Sequence, residues 1–220
     1  AHLLGQFFID AQPDSVGYKA RNRGSILSST DEWLSPVQMD VGPDGHLWVA
    51  DWYNFIIQHN PIPSKESAGF DAEEGKGNAH VNPLRDRERG RIYRLVAKDA
   101  PEYEPLDLSD ADTETLVDTL SNDNMFWRMT AQRLLVTEQR TDAIPALRAI
   151  LTGNPDRDSL GLDVASIHAI WTLHGLGAFT VTDEASDTAV RNALRHPSGA
   201  TRKNAVQALV ESATPADLAL

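Results

Sequence analysis

The sequence predicts a chain of two unlike parts in series, β first and α after, with the two kinds of element segregated. Three observations predict it. Val37, Met39 and Val41 alternate with polar residues, the period of a half-buried strand. From Leu116 onward the apolar residues recur at helical spacing instead. Between the two regimes, Ala100–Asp112 reads APEYEPLDLSDAD, whose two prolines and run of acids mark a linker. The expected division is residues 1–100 for the strands, 101–112 for the linker and 113–220 for the helices.

In the strand part, Leu3–Ile9 is an apolar run with Phe7 and Phe8, and Arg23–Leu27 is a weaker one. The clearest segment is PVQMDVGPDGHLWVAD, Pro36–Asp51. Gly42-Pro43-Asp44-Gly45 is a turn cluster in which Gly45 is free to take a positive φ. Strands are expected at Val37–Val41 and Leu47–Ala50 as the arms of a hairpin, with a further one at Arg91–Leu95. Residues 61–89 are polar and rich in Gly, Ser, Pro and charge, a long inserted loop of the kind that usually carries function or is disordered. Roughly 100 residues of such hairpins fit the last blade or two of a β-propeller.

The helical part repeats. Ser109-Asp110 is the expected cap of a helix carrying Leu116, Val117 and Leu120, and Thr141-Asp142 the expected cap of one over Ala143–Leu151. Further helices are expected at Phe126–Val136, Val164–Leu176, Ala185–Leu194 and Ala200–Val210. Ala131, Ala169 and Ala205 align, as do Leu135, Leu173 and Leu209, with periods of 38 and then 36 residues. A small residue with Leu four positions later describes the inner face of stacked helix pairs, and this period belongs to HEAT-like repeats. Trp127 and Trp171 have apolar neighbours at helical spacing and are expected largely buried.

Charge and composition exclude several classes of function. The net charge is −12, and residues 101–220 hold 9 basic against 18 acidic side chains. Nucleic-acid binding needs a basic face, so an acidic helical part argues against it. No cysteine is present, which excludes disulfides, thiolate metal ligands and covalent haem attachment within these residues. No apolar stretch approaches the ~20 residues of a membrane span. The opening AHLLGQFFIDAQPD has no basic n-region or long apolar stretch. It reads as a strand in a chain cut from a longer precursor.

DEWLSPVQMDVGPDGHLWVADWYN and then GKGNAHVNPLRDRERGRIYRL, followed by FWRMTAQRLL and HAIWTLHGLGA, resemble the large "membrane-bound dehydrogenase" proteins of planctomycetes and verrucomicrobia. Those proteins have a propeller similar to glucose/sorbosone dehydrogenases, then HEAT-like repeats, then usually a c-type haem domain. The resemblance implies a periplasmic or secreted oxidoreductase acting on a sugar-like substrate, with pyrroloquinoline quinone and calcium as the expected cofactors. Two competing readings are an interaction module, whose helical stack docks a protein partner with the propeller remnant as its anchor, and a glycan-binding protein without chemistry. The chain departs from the family in holding only the end of a propeller and no haem-binding Cys-x-x-Cys-His.

The hairpin brings Asp51 out beside Ser35-Pro36, at the rim where propeller loops converge on ligands. There Asp51, Trp52, Tyr53 and Asn54 are candidates to contact a cation or polar ligand. Alternatively Asp51 caps the turn while Trp52 and Tyr53 pack between blades. His59 and His80 lie in the neighbouring loop, and with Asp51 they are the candidate metal ligands. Arg85, Arg87, Arg89, Arg91 and Arg94, interleaved with Asp86 and Glu88, are either bidentate donors to an anionic ligand or a self-neutralising strand edge. No nucleophile elbow or paired-carboxylate site is legible, so no catalytic residue is named.

Overall fold

The protein is described by a computed structural model, in which residues 4–11, 18–31, 33–54, 64–69, 71, 73, 88–179 and 183–212 are described. The chain is β first and α after. It divides into two compact units, Ala1–Phe7 with Asn22–Glu102, and Phe8–Arg21 with Tyr103–Leu220.

Strands β1 (Leu4–Ala11) and β2 (Tyr18–Leu27) form a two-stranded sheet. Strands β3 (Pro36–Val41), β4 (Leu47–Asp51) and β5 (Arg91–Leu95) form a separate three-stranded antiparallel sheet in the order β3-β4-β5. The β3–β4 turn closes through the Gly42 and Gly45 backbones, and Gly45 has φ 74°, a value that favours glycine over any side chain. Gly42 leaves room for the Trp48 indole, which a Cβ at that position would strike at 2.3 Å. The α1 turn (Lys65–Ala68) lies between β4 and β5 in the chain.

Alternation in β3 predicts a half-buried strand, but all of β3 beyond Pro36 is exposed. Two features account for it. β3 is an edge strand, and a register shift between Pro36 and Gln38 takes Val37 off the ladder. The buried side chains of this sheet are Val49, opposite Met39 and Tyr93, and Asp51, both on the central strand.

The second unit holds six helices: α2 (Thr113–Thr119), α3 (Met125–Thr137), α4 (Ile144–Thr152), α5 (Val164–Gly175), α6 (Glu184–Asn192) and α7 (Gly199–Ser212). Side-chain oxygens cap the amide groups that a helix start leaves open. Asp112 caps α2, Asn124 caps α3, Asp163 caps α5 and Asp183 caps α6. The expected cap of α2, Ser109-Asp110, is thus displaced to Asp112. Asp142 does not cap α4, because its carboxylate accepts the Thr113 hydroxyl at 2.6 Å. A 3-10 turn over Thr141–Ala143 and a proline near the first position start α4 instead.

Helix α5 packs against α3, α4 and α7, and the pairs α2–α3, α4–α6 and α6–α7 also meet. Ala131, Ala169 and Ala205, at matching positions of α3, α5 and α7, are all fully buried. With Leu116, Leu120, Leu135, Leu147, Ile170 and Leu173 they form a continuous core. Gly175 approaches Val136 so closely that a Cβ there would lie 2.7 Å from its Cγ2. Arg128 and Arg202 also match in position and in use. Each donates from Nη1 to the carbonyls six and five residues earlier, Asn122 and Asp123 for one, His196 and Pro197 for the other. Trp127 and Trp171 are half-buried against the core rather than inside it. The Trp171 indole N–H explains its position, reaching Asn204 Oδ1 at 2.7 Å.

Candidate functional site

The sequence LWVAD forms β4, and the antiparallel register sets Asp51 at its end between Pro36 and Arg91. Its carboxylate turns inward: Oδ1 accepts the Ser35 N–H at 2.7 Å and the Tyr53 N–H at 2.8 Å. The Trp52 N–H donates to the Ser35 carbonyl at 3.0 Å beside it. These three bonds stitch the start of β3 to the chain leaving β4. Asp51 is only 3% exposed, and Ser35 and Asn54 are as deeply buried. The second carboxylate oxygen, Oδ2, is buried without a hydrogen-bond partner.

Tyr53 holds a left-handed backbone, φ 51°, which the Asp51 bond to its N–H helps to fix. Its ring stacks on Trp33 at 5.9 Å between centroids. The Arg91 guanidinium lies over the same ring, 3.7 Å from its centre, a cation–π geometry. Arg91 also reaches the Tyr93 hydroxyl at 3.4 Å and Asp31 at 3.9 Å. Trp52 and Arg89 are exposed.

A second polar cluster sits at the hairpin turn. Asp44 accepts the Trp48 indole N–H at 3.0 Å and the His46 N–H at 3.1 Å, and it pairs with Arg94. Burial alone would raise its carboxyl, but the Trp48 and His46 hydrogen bonds and the Arg94 charge outweigh that and hold it at about 2. In sequence Asp44 reads as a turn former and no more. Its pairing with Arg94, fifty residues away, depends on β5 lying beside β4.

Of the candidate residues, Asp51, Trp52, Tyr53 and Asn54 are consecutive at the end of β4, and Arg91 joins Tyr53 across the sheet. His59, His80, Arg85 and Arg87 lie outside the described residues. Calcium takes six to eight oxygen ligands, and among the described residues no three acidic or histidine side chains converge. Asp51 meanwhile holds two backbone N–H groups with one oxygen. Among the described residues, then, no set of calcium ligands is gathered around Asp51. The sequence singled out Asp51 and set it beside Ser35, but it did not single out Trp33, because a ring brought in from before β3 carries no motif.

Residues 1–99 match the family profile described as a domain of unknown function (DUF7133). No curated protein and no solved structure matches the chain. Among the described residues no helix is long and apolar enough to cross a membrane.

Proposed function

We propose that these 220 residues are a non-catalytic closing portion of a sugar dehydrogenase-like protein: the end of a β-propeller, followed by a HEAT-like stack that docks a protein partner. The observation that carries this reading is the Asp51 carboxylate, buried and bonded to the Ser35 and Tyr53 amides. A group so engaged serves to fix the strand ends, and a propeller cofactor site needs side chains from several blades to orient its ligand. The propeller assignment is supported by the β3–β4–β5 meander, and the division of the chain by a family match that stops three residues before the first unit does.

The repeat assignment is supported by the buried alanines of α3, α5 and α7, on helices that pack side by side. The matching use of Arg128 and Arg202 supports it independently. Partner docking is supported by apolar side chains left exposed on the outer helices: Met125, Phe126 and Met129 on α3, and Val206 and Val210 on α7. Exposed apolar groups of this kind mark contact surfaces when they are contiguous, and methionine adapts to many partners. A second reading, a glycan-binding module without chemistry, is favoured by the exposed Trp52 ring. Sugars reach the periplasm or the exterior, where the family resemblance would locate such a protein.

The chain alone, supplied with pyrroloquinoline quinone, calcium, a panel of aldoses and an artificial electron acceptor, is expected to turn over no faster than the no-protein control. A version extended upstream to a full propeller is expected to be active. Turnover by the 220 residues alone, lost in a folded Asp51→Ala variant, would overturn the proposal.

A further inference from the structure

We propose that α5 is an acid-labile joint: His168 ties it to α3 and His196 ties its start to the turn before α7, both only while neutral, so protonation releases the α3–α5–α7 row. Each imidazole accepts a hydrogen bond from a group that can do nothing but donate. His168 Nε2 accepts the Arg128 Nε–H at 3.2 Å, and its Nδ1–H faces Gln132 Oε1 at 2.7 Å. A guanidinium keeps its protons at all relevant pH and has no acceptor, so the tautomer is fixed by geometry. His196 Nδ1 accepts the backbone N–H of Ser198 at 3.0 Å, which leaves Nε2–H toward Asp163 Oδ2 at 3.4 Å. Both rings are buried.

A second proton on either ring sets donor against donor. At His168 it also sets a new positive charge against Arg128. Asp123 and Asp158 favour the charge on that arginine. At His196 the Asp163 carboxylate favours the proton, whereas burial, Arg157 and Arg202 disfavour it. Asp163 is not free to follow the ring, because its other oxygen caps α5 through the Ser166 N–H at 2.9 Å. From α4, the remaining helix against α5, Arg148 is paired with Asp183 at 3.2 Å. From α7, Glu211 stands 3.9 Å from His174 at the opposite end of α5. Ser166 Oγ and Thr201 Oγ1 are buried without partners, so two nearby hydroxyls already lack compensation before any charge arrives.

The direction of linkage follows. Burial, then Arg128, pushes His168 down to about 4, and burial chiefly pushes His196 below its ordinary value. The unfolded chain therefore takes up protons first as pH falls below about 6.5. Stability is full above that pH and declines below it, until His168 protonates in the folded state as well near 4. At pH ~5 His168 alone is expected to raise the unfolding equilibrium constant about 30-fold.

The test is urea unfolding of the whole 220-residue chain, followed by helical circular dichroism at pH ~7.5 and ~5. The wild type should lose about 30-fold or more in its folding constant between the two. The double variant His168→Gln, His196→Asn keeps an acceptor oxygen near each ring-nitrogen position and should lose no more than a few-fold. A wild type equally stable at both values, or a double variant that keeps the full loss, overturns the proposal. Should the double variant not fold at neutral pH, proton NMR titration of the wild-type imidazoles decides. Both rings titrating below the ordinary histidine range supports the joint, and either titrating normally in the folded chain contradicts it.

Discussion

Leu173→Ala is expected to destabilise the helical unit by about 3–5 kcal/mol, the upper part of the range for emptying a core leucine site. Leu173 is fully buried in the last turn of α5, the helix held by α3, α4 and α7. The cost of such a truncation depends on how far the surroundings can collapse into the void. Here the small core residues Ala131, Ala169, Ala205 and Ala208 have no side-chain length to reach into it, and α5 cannot shift toward one neighbour without leaving another. Val210→Ala on the exposed side of α7 removes a similar apolar group from water-accessible surface. It is expected to fall within about 0.5 kcal/mol of wild type. Urea midpoints with unchanged slopes for both variants are the measurement. A Leu173→Ala midpoint equal to wild type would mean the buried row is not the core of this unit.

Asp51→Ala is expected to cost the first unit about 2–5 kcal/mol, because it leaves the buried Ser35 N–H and the half-buried Tyr53 N–H without an acceptor. A hydrogen bond to a charged group contributes about 1.5–3 kcal/mol, and an orphaned buried donor costs about 1–3 kcal/mol. Asp51→Asn keeps an oxygen at the Oδ1 position and removes a buried charge whose other oxygen has no partner. Its loss should be less than half as large. The contrast separates a backbone clamp from a ligand-binding carboxylate, for which charge matters and Asn fails with Ala. Unfolding monitored by tryptophan fluorescence, with amide exchange read at Ser35 and Tyr53, distinguishes the two. Equal losses for Ala and Asn would contradict the clamp.

Much of the fold was legible because its signals are local. The turn at Gly42–Gly45 and the strands around it are written in alternation and glycine, and β3, β4 and β5 fall within a residue of their expected bounds. The helices from α3 to α7 follow apolar spacing, with ends one or two residues from expectation. What could not be read is what depends on pairing. The exposure of β3 follows from its being an edge strand with a register shift, a fact about neighbours rather than about Val37, Met39 and Val41. The caps misread in sequence, Ser109-Asp110 and Asp142, show that several polar residues near a helix start compete for one role. Asp142 was taken by Thr113 across the unit. At the candidate site the motif pointed to Asp51, but whether its carboxylate faces ligand or backbone is set by how Ser35 and Tyr53 are delivered to it.

The most direct test is to titrate the isotopically labelled chain with calcium chloride and then with pyrroloquinoline quinone, following the Ser35 and Tyr53 amide resonances by NMR. If Asp51 is a clamp, both amides stay protected and neither ligand shifts them in a saturable way. Saturable shifts at both amides, abolished in a folded Asp51→Asn variant, would show a ligand on that carboxylate and contradict the account.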